Sequence, residues 1–158
     1  MTTIEVRLQQ VKQRIALAIS ATGRDVESVT LLAVSKLQSA QAVREAAAAG
    51  QQDFGENYVQ EALDKMAALA DPGAGAAMPR LHWHLIGPLQ SNKTRPVAEA
   101  FDWVHTVDRL KIAQRLSEQR PAALPPLNIC LQVNVSGETS KAGLAPQELA
   151  AVAHEVAA

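Results

Sequence analysis

Two lysines, a pair of alternating histidines and two glycine-containing turns are the residues of this sequence that can do chemistry. Lys36 follows a run of seven uncharged residues, 29–35. A lysine there stands at the carboxyl end of a strand, the edge where open α/β sheets and barrels place their ligands. Apolar walls that strip water from an ammonium favour the neutral amine, which can attack a carbonyl and form an imine. The plain alternative is a lysine that snorkels to solvent. In Phe54-Gly55-Glu56-Asn57-Tyr58, Gly55 permits close backbone approach, and Asn57 either caps a helix or hydrogen-bonds a ligand. His82 and His84 share one face of a strand and Trp83 takes the other. Two such histidines can bind a metal if a third ligand joins them, and His105 on a neighbouring strand is the candidate. Packed or ligand-contacting histidines are the alternative. Gly87-Pro88-Leu89-Gln90-Ser91-Asn92-Lys93 opens a helix and can present backbone N–H groups and a lysine to an anion, or is an ordinary turn capped by Ser91. Asn134 and Ser136 end a fifth strand, and Lys141 follows in Ser140-Lys141-Ala142-Gly143, where it either reaches the same mouth or is solvated.

The elements that carry these residues alternate. Ile4, Leu8, Val11, Ile15 and Ile19 recur at helical spacing, and Gly23 supplies a stop. Residues 29–36 read as a strand buried on both faces, because the run is continuously apolar. Alanine-rich 40–49 predicts a helix stopped by Gly50. Strands are predicted at 52–55, 81–86, 103–107 and 127–135. Between them lie helices carrying Val59, Ala62, Leu63, Met66 and Leu69, then one near 91–100, then one with Leu110, Ile112, Ala113 and Leu116 behind an Asp108 cap. Asp71-Pro72-Gly73 breaks the first of these, and a low-complexity loop runs on to Pro79. Pro146 suits the first turn of a last helix.

An N-terminal helix followed by five β-α units predicts an α/β fold with a parallel sheet. A doubly wound open sheet and part of a (β/α)8 barrel both satisfy this pattern. No G-x-G-x-x-G or G-x-x-x-x-G-K-[ST] follows any strand, so dinucleotide and P-loop readings lack support. A complete barrel needs about 250 residues, and this chain has 158. The expectation is therefore one domain over 1–158, an incomplete barrel whose unpaired edges and apolar inner face favour aggregation. A genuine five-stranded open sheet is the alternative.

Composition narrows the function classes. Hydrophobic residues make up 47% and charged residues 20%, a globular balance. The net charge of −1 offers no basic field for nucleic acid or an anionic membrane. No apolar run spans a bilayer and the N-terminus lacks a signal-peptide core. A single cysteine, Cys130, excludes internal disulfides and multi-cysteine metal sites, which points to a cytoplasmic protein.

Five segments together carry a resemblance: LLAVSK ending at Lys36, FGENYVQE at 54–61, WHLIGPLQSNK at 83–93, FDWVHTVDR at 101–109 and QVNVSGETSKAG at 132–143. In order and spacing they resemble the pyridoxal-phosphate homeostasis protein family over essentially the whole chain. His82 lies outside the family motif, which argues against a metal. The resemblance implies a barrel of the alanine-racemase N-terminal kind (fold type III). It implies that Lys36 holds pyridoxal 5′-phosphate (PLP) as a Schiff base, with Asn57 and His84 near the cofactor and Lys141 offering a second, weaker site.

The function so implied is PLP (vitamin B6) homeostasis by a carrier that is not an enzyme. A monomer is expected, with PLP and PLP-requiring apoenzymes as partners and with no nucleic acid or membrane. Family proteins continue into G-M-S-x-D and V-R-I-G segments that cradle the phosphate, and neither string occurs here. Weaker retention of the cofactor than in a complete family member is expected. Two other readings remain open. One is a racemase-like enzyme of the same fold, which needs a second acid-base residue beyond Tyr58, the sole tyrosine. The other is an interaction module with an inert Lys36.

Overall fold

The computed structural model describes residues 3–70 and 78–157, so the predicted break at 71–73 and most of the loop to Pro79 lie outside the described residues. Helix α1 (Ile4–Thr22) begins where the Thr3 side chain accepts the Val6 amide and ends at Gly23, whose φ of 63° closes it in the left-handed conformation. There follow β1 (Ala33–Val34), α2 (Ala40–Ala48), β2 (Asp53–Glu56), α3 (Val59–Ala70), β3 (His82–Leu85), α4 (Thr94–Ala100), β4 (Trp103–Val107), α5 (Leu110–Gln119), β5 (Asn128–Leu131) and α6 (Leu149–Ala157). Pro146 opens a 3₁₀ turn that leads into α6, as its fixed φ favours.

The five strands pair in parallel in the order β1-β2-β3-β4-β5. A doubly wound sheet reverses its strand order at a switch point. This sheet never reverses, so it is an arc of a (β/α) barrel. The helices gather on one side. Val43 and Ala46 of α2, Ala62 of α3, Val97 of α4 and Ile112 and Leu116 of α5 pack with Phe54, Trp83, Leu85 and Val104 in one apolar core. The ring centroids of Phe54 and Trp83 lie 5.8 Å apart within it.

Four local expectations are corrected. The strand read across 29–36 pairs only at Ala33–Val34, and it is not buried on both faces: Val34 is 53% exposed. Its partner is β2 alone, and no described strand covers its other edge. The strand read across 127–135 pairs only at Asn128–Leu131. The chain then folds back, with an isolated bridge from Val133 to Leu144. The cap of α5 is Arg109 rather than Asp108, whose carboxylate instead accepts from the Arg109 guanidinium at 2.8 Å. Ser91 caps nothing with its side chain; its carbonyl accepts from the buried Thr94 hydroxyl.

Candidate functional site

Parallel register decides which residues meet at the strand ends. Val34 pairs with Gly55, and Gly55 pairs with His84, so these three form one row across the face opposite the helices. Two positions further on, β1 and β2 run out into Lys36 and Asn57. Alternation places both on that same face, above the row. Lys36 lies in a turn, is exposed, and has no side-chain hydrogen bond or ion pair among the described residues. Apolar walls around it, the sequence expectation, are not seen at this edge of the sheet.

Asn57 is half-buried. Its backbone lies against Gly87: a Cβ at position 87 would stand 2.6 Å from the Asn57 Cα, closer than real Cβ atoms approach. Gly87 also receives the Thr106 hydroxyl of β4 on its carbonyl at 2.6 Å. The turn after β3 is therefore fitted between the ends of β2 and β4. Asn57 precedes α3 by two residues, and no capping bond from its side chain is present among the described residues.

His84 is buried, and both its ring nitrogens are engaged. Its Nε2 lies 3.2 Å from Asp53 Oδ1, and its Nδ1 lies 3.0 Å from His105 Nε2. With the proton of neutral His84 donated to the carboxylate, Nδ1 accepts from His105, which fixes both tautomers. The Trp103 ring lies parallel to His84, with centroids 5.7 Å apart. His82, more exposed, also contacts Asp53 Oδ1 at 3.2 Å. Burial pushes the His84 imidazole below the ordinary histidine value. It outweighs the hydrogen bond and charge of Asp53 and the charge of Asp102, while His82 pushes the same way as burial. Burial, followed by the neighbouring His84, lowers His105 as well. The rings are joined to each other and to Asp53, and no group of three His, Cys, Asp or Glu suited to a metal occurs among the described residues.

Lys141 does not join this row. It is exposed in the loop after β5, four strands from β1, and its carbonyl accepts from Asn134 Nδ2 at 3.2 Å. Asn134 is a loop staple: Nδ2 also donates to the Glu138 carbonyl, and Oδ1 accepts from the Gly137 amide and the Ser136 hydroxyl. Lys93 is exposed in the 3₁₀ turn before α4. A groove lined by Leu116, Ile129 and Val156 lies between α5, β5 and α6, on the helix side of the sheet.

Sequence reasoning missed Asp53, the acceptor that orients His84. The one signal was its place two residues before Gly55, hence on the same face. It also missed a buried cluster beneath Lys36. On the helix side of β2, Glu56 is fully buried and pairs with Lys65 of α3 at 2.6 Å. Lys65 Nζ also donates to the Ser35 carbonyl at 2.8 Å and to Glu61 Oε1 at 3.2 Å. The Ser35 hydroxyl donates to Glu56 Oε1 at 2.6 Å, and Glu61 Oε1 accepts the Leu37 amide at 2.6 Å.

Comparison with known proteins gives the family of the chain. The model of the family described as alanine racemase, N-terminal domain, matches residues 6–158. The pyridoxal phosphate homeostasis protein of Pseudomonas aeruginosa is 65% identical over 156 residues, 99% of this chain and 65% of that protein. Its Escherichia coli counterpart of the same name is 53% identical over 157 residues, again 99% of this chain and 65% of that protein. A structure of PipY from Synechococcus elongatus with PLP bound superposes with a TM-score of 0.72 at 42% identity, covering 92% of this chain and 63% of that one. The chain thus spans about 65% of the length of the curated relatives it matches.

Proposed function

Because this chain belongs to the alanine racemase N-terminal domain family, we propose that it binds PLP through Lys36 and serves PLP homeostasis as a carrier rather than as an enzyme. The observation that carries this reading is an exposed amine at the carboxyl end of β1, in a chain 42% identical to a protein whose structure holds PLP. Lys36 would hold the cofactor through its aldehyde, which is the chemistry PLP would supply when bound.

The chain's own residues fit such a guest. Lys36 projects from a turn whose backbone is held on both sides. Asn57, level with it just past the end of β2, contributes a side-chain amide that no described residue engages. His84 lies below with its ring held neutral and oriented by Asp53 and His105. Lys141, in the loop after β5, serves as a second and weaker amine. The carrier reading rests on the names of the relatives, which describe homeostasis and no reaction. A cytoplasmic setting accords with one free, half-buried cysteine, and no described helix is long and apolar enough to cross a membrane. On this reading the protein acts as a monomer, and PLP-requiring apoenzymes are the recipients.

The test is borohydride reduction after incubation with PLP, followed by peptide mapping. The pyridoxyl label is expected on Lys36, and in Lys36→Ala the residual label on Lys141. Label scattered over surface amines without preference refutes the assignment. Robust racemisation of alanine by the PLP-loaded chain refutes the carrier reading.

A further inference from the structure

Lys36 sits between two residues that are both tied to one buried ammonium. Before it, the Ser35 carbonyl accepts from Lys65 Nζ at 2.8 Å. After it, the Leu37 amide donates to Glu61 Oε1, and that same oxygen accepts from Lys65 Nζ. Glu56 anchors the ammonium from β2, and its Oε1 also receives the Ser35 hydroxyl. The chain is thus gripped immediately before and after Lys36. Leu37 is held at φ 62°, a left-handed conformation that a leucine rarely adopts and keeps only when its surroundings impose it.

Stability alone does not account for two charges at this place. A buried ion pair typically repays its desolvation only in part, and apolar residues of similar volume often serve a core as well or better. Here Glu56 Oε2 is additionally buried without a partner among the described residues. What Lys65 and its carboxylate partners do that apolar residues cannot is aim hydrogen bonds at the backbone on either side of Lys36, Lys65 at the Ser35 carbonyl and Glu61 at the Leu37 amide.

We infer that Lys65, with Glu56 and Glu61, is a positioning group for Lys36: it fixes the turn at 35–37 so that this amine, and not another lysine, takes an aldehyde. The inference rests on the reading of Lys36 as the cofactor-bearing amine. Lys65 is 5% exposed and has all three of its donors engaged, so it is not itself the amine that reacts.

The experiment compares the 158-residue chain with the double variant Glu56→Gln/Lys65→Met, which removes both charges together. Each is incubated with PLP, reduced with borohydride and mapped. Amide hydrogen exchange across 35–38 is measured without cofactor. In the variant the label at Lys36 relative to Lys141 is expected to fall roughly tenfold, and protection of the Leu37 amide to fall by a similar factor, the scale of a lost charge-assisted hydrogen bond. A variant that melts cooperatively yet keeps both the Lys36 preference and the Leu37 protection overturns the inference. If the double variant does not melt cooperatively, Glu61→Ala, whose side chain is partly exposed, is measured in its place. A fall in both quantities then supports the clamp, and no change in either overturns it. If the unmodified chain itself shows no preference for Lys36, the cofactor reading fails, while the Leu37 exchange still decides whether the turn is clamped.

Discussion

On the helix side of the sheet, Phe54, Leu85 and Val104 are sealed beneath α2 to α5, and even the charged Glu56 is closed off with its lysine. On the opposite side, Val34, His82, Trp103 and Lys36 meet solvent wholly or in part, and hydrogen bonds joining His82, His84 and His105 through Asp53 and each other take the place of an apolar core. The same strands build both faces by alternation. Burial on one face supplies the free energy that holds the strands, and this leaves the other face free to present polar and reactive groups at little cost to the fold. Two lysines make the contrast plain. Lys65 is buried and has three acceptors, whereas Lys36 is exposed and has none among the described residues.

The sharpest way to break this contrast is to unbalance the buried pair. Lys65→Met alone strands the Glu56 carboxylate and is expected to cost about 3–5 kcal/mol in urea unfolding. A loss below about 1 kcal/mol means that water reaches the pair after all. Next in size is a comparison across β1 and β3. Leu85→Ala on the sealed face is expected to cost about 2–5 kcal/mol, while Val34→Ala on the open face stays within about 0.5 kcal/mol. Equal losses erase the distinction between the faces.

A smaller effect comes from the histidines. Their folded-state values lie below the ordinary one, so the stability gained from keeping them neutral is complete above the unfolded value and drains away as pH falls from there toward the depressed folded values. The melting temperature is expected to drop between about pH 7.5 and pH 5.5, and His105→Gln is expected to flatten that slope. An unaltered slope in the variant assigns the pH response to other groups. Smallest of all for the fold is Lys36→Ala, expected within about 0.5 kcal/mol of the parent in unfolding, although on the proposed reading it abolishes the principal cofactor adduct.

The sealed face was the legible one. Helical spacing of Val59, Ala62, Met66 and Leu69, and glycine stops at Gly23 and Gly50, follow from backbone geometry that acts within one turn. The barrel arc was one of two architectures open to the sequence, because β-α alternation is common to both and only strand order separates them. Strand lengths were overread at 29–36 and 127–135, where apolar composition announces a strand but pairing needs a neighbour. Lys36, Asn57, His84 and Lys141 stood out as residue types at turns and strand ends. The grouping of Asp53 with His84 and His105 did not, since it depends on register across three strands. Lys65 escaped for a different reason: a lysine beside an apolar helical stripe ordinarily snorkels to solvent, and only Glu56 beneath it reverses that rule.

Gly87 has one more consequence. Its missing side chain lets the peptide of Asn57 rest directly on it, and its carbonyl is fastened to Thr106. The turns after β2 and β3 and the strand β4 are therefore linked as a stiff collar, and none of the three can slide without dragging the other two. A methyl group added at that point would act as a wedge, and its push would be felt as far away as β4.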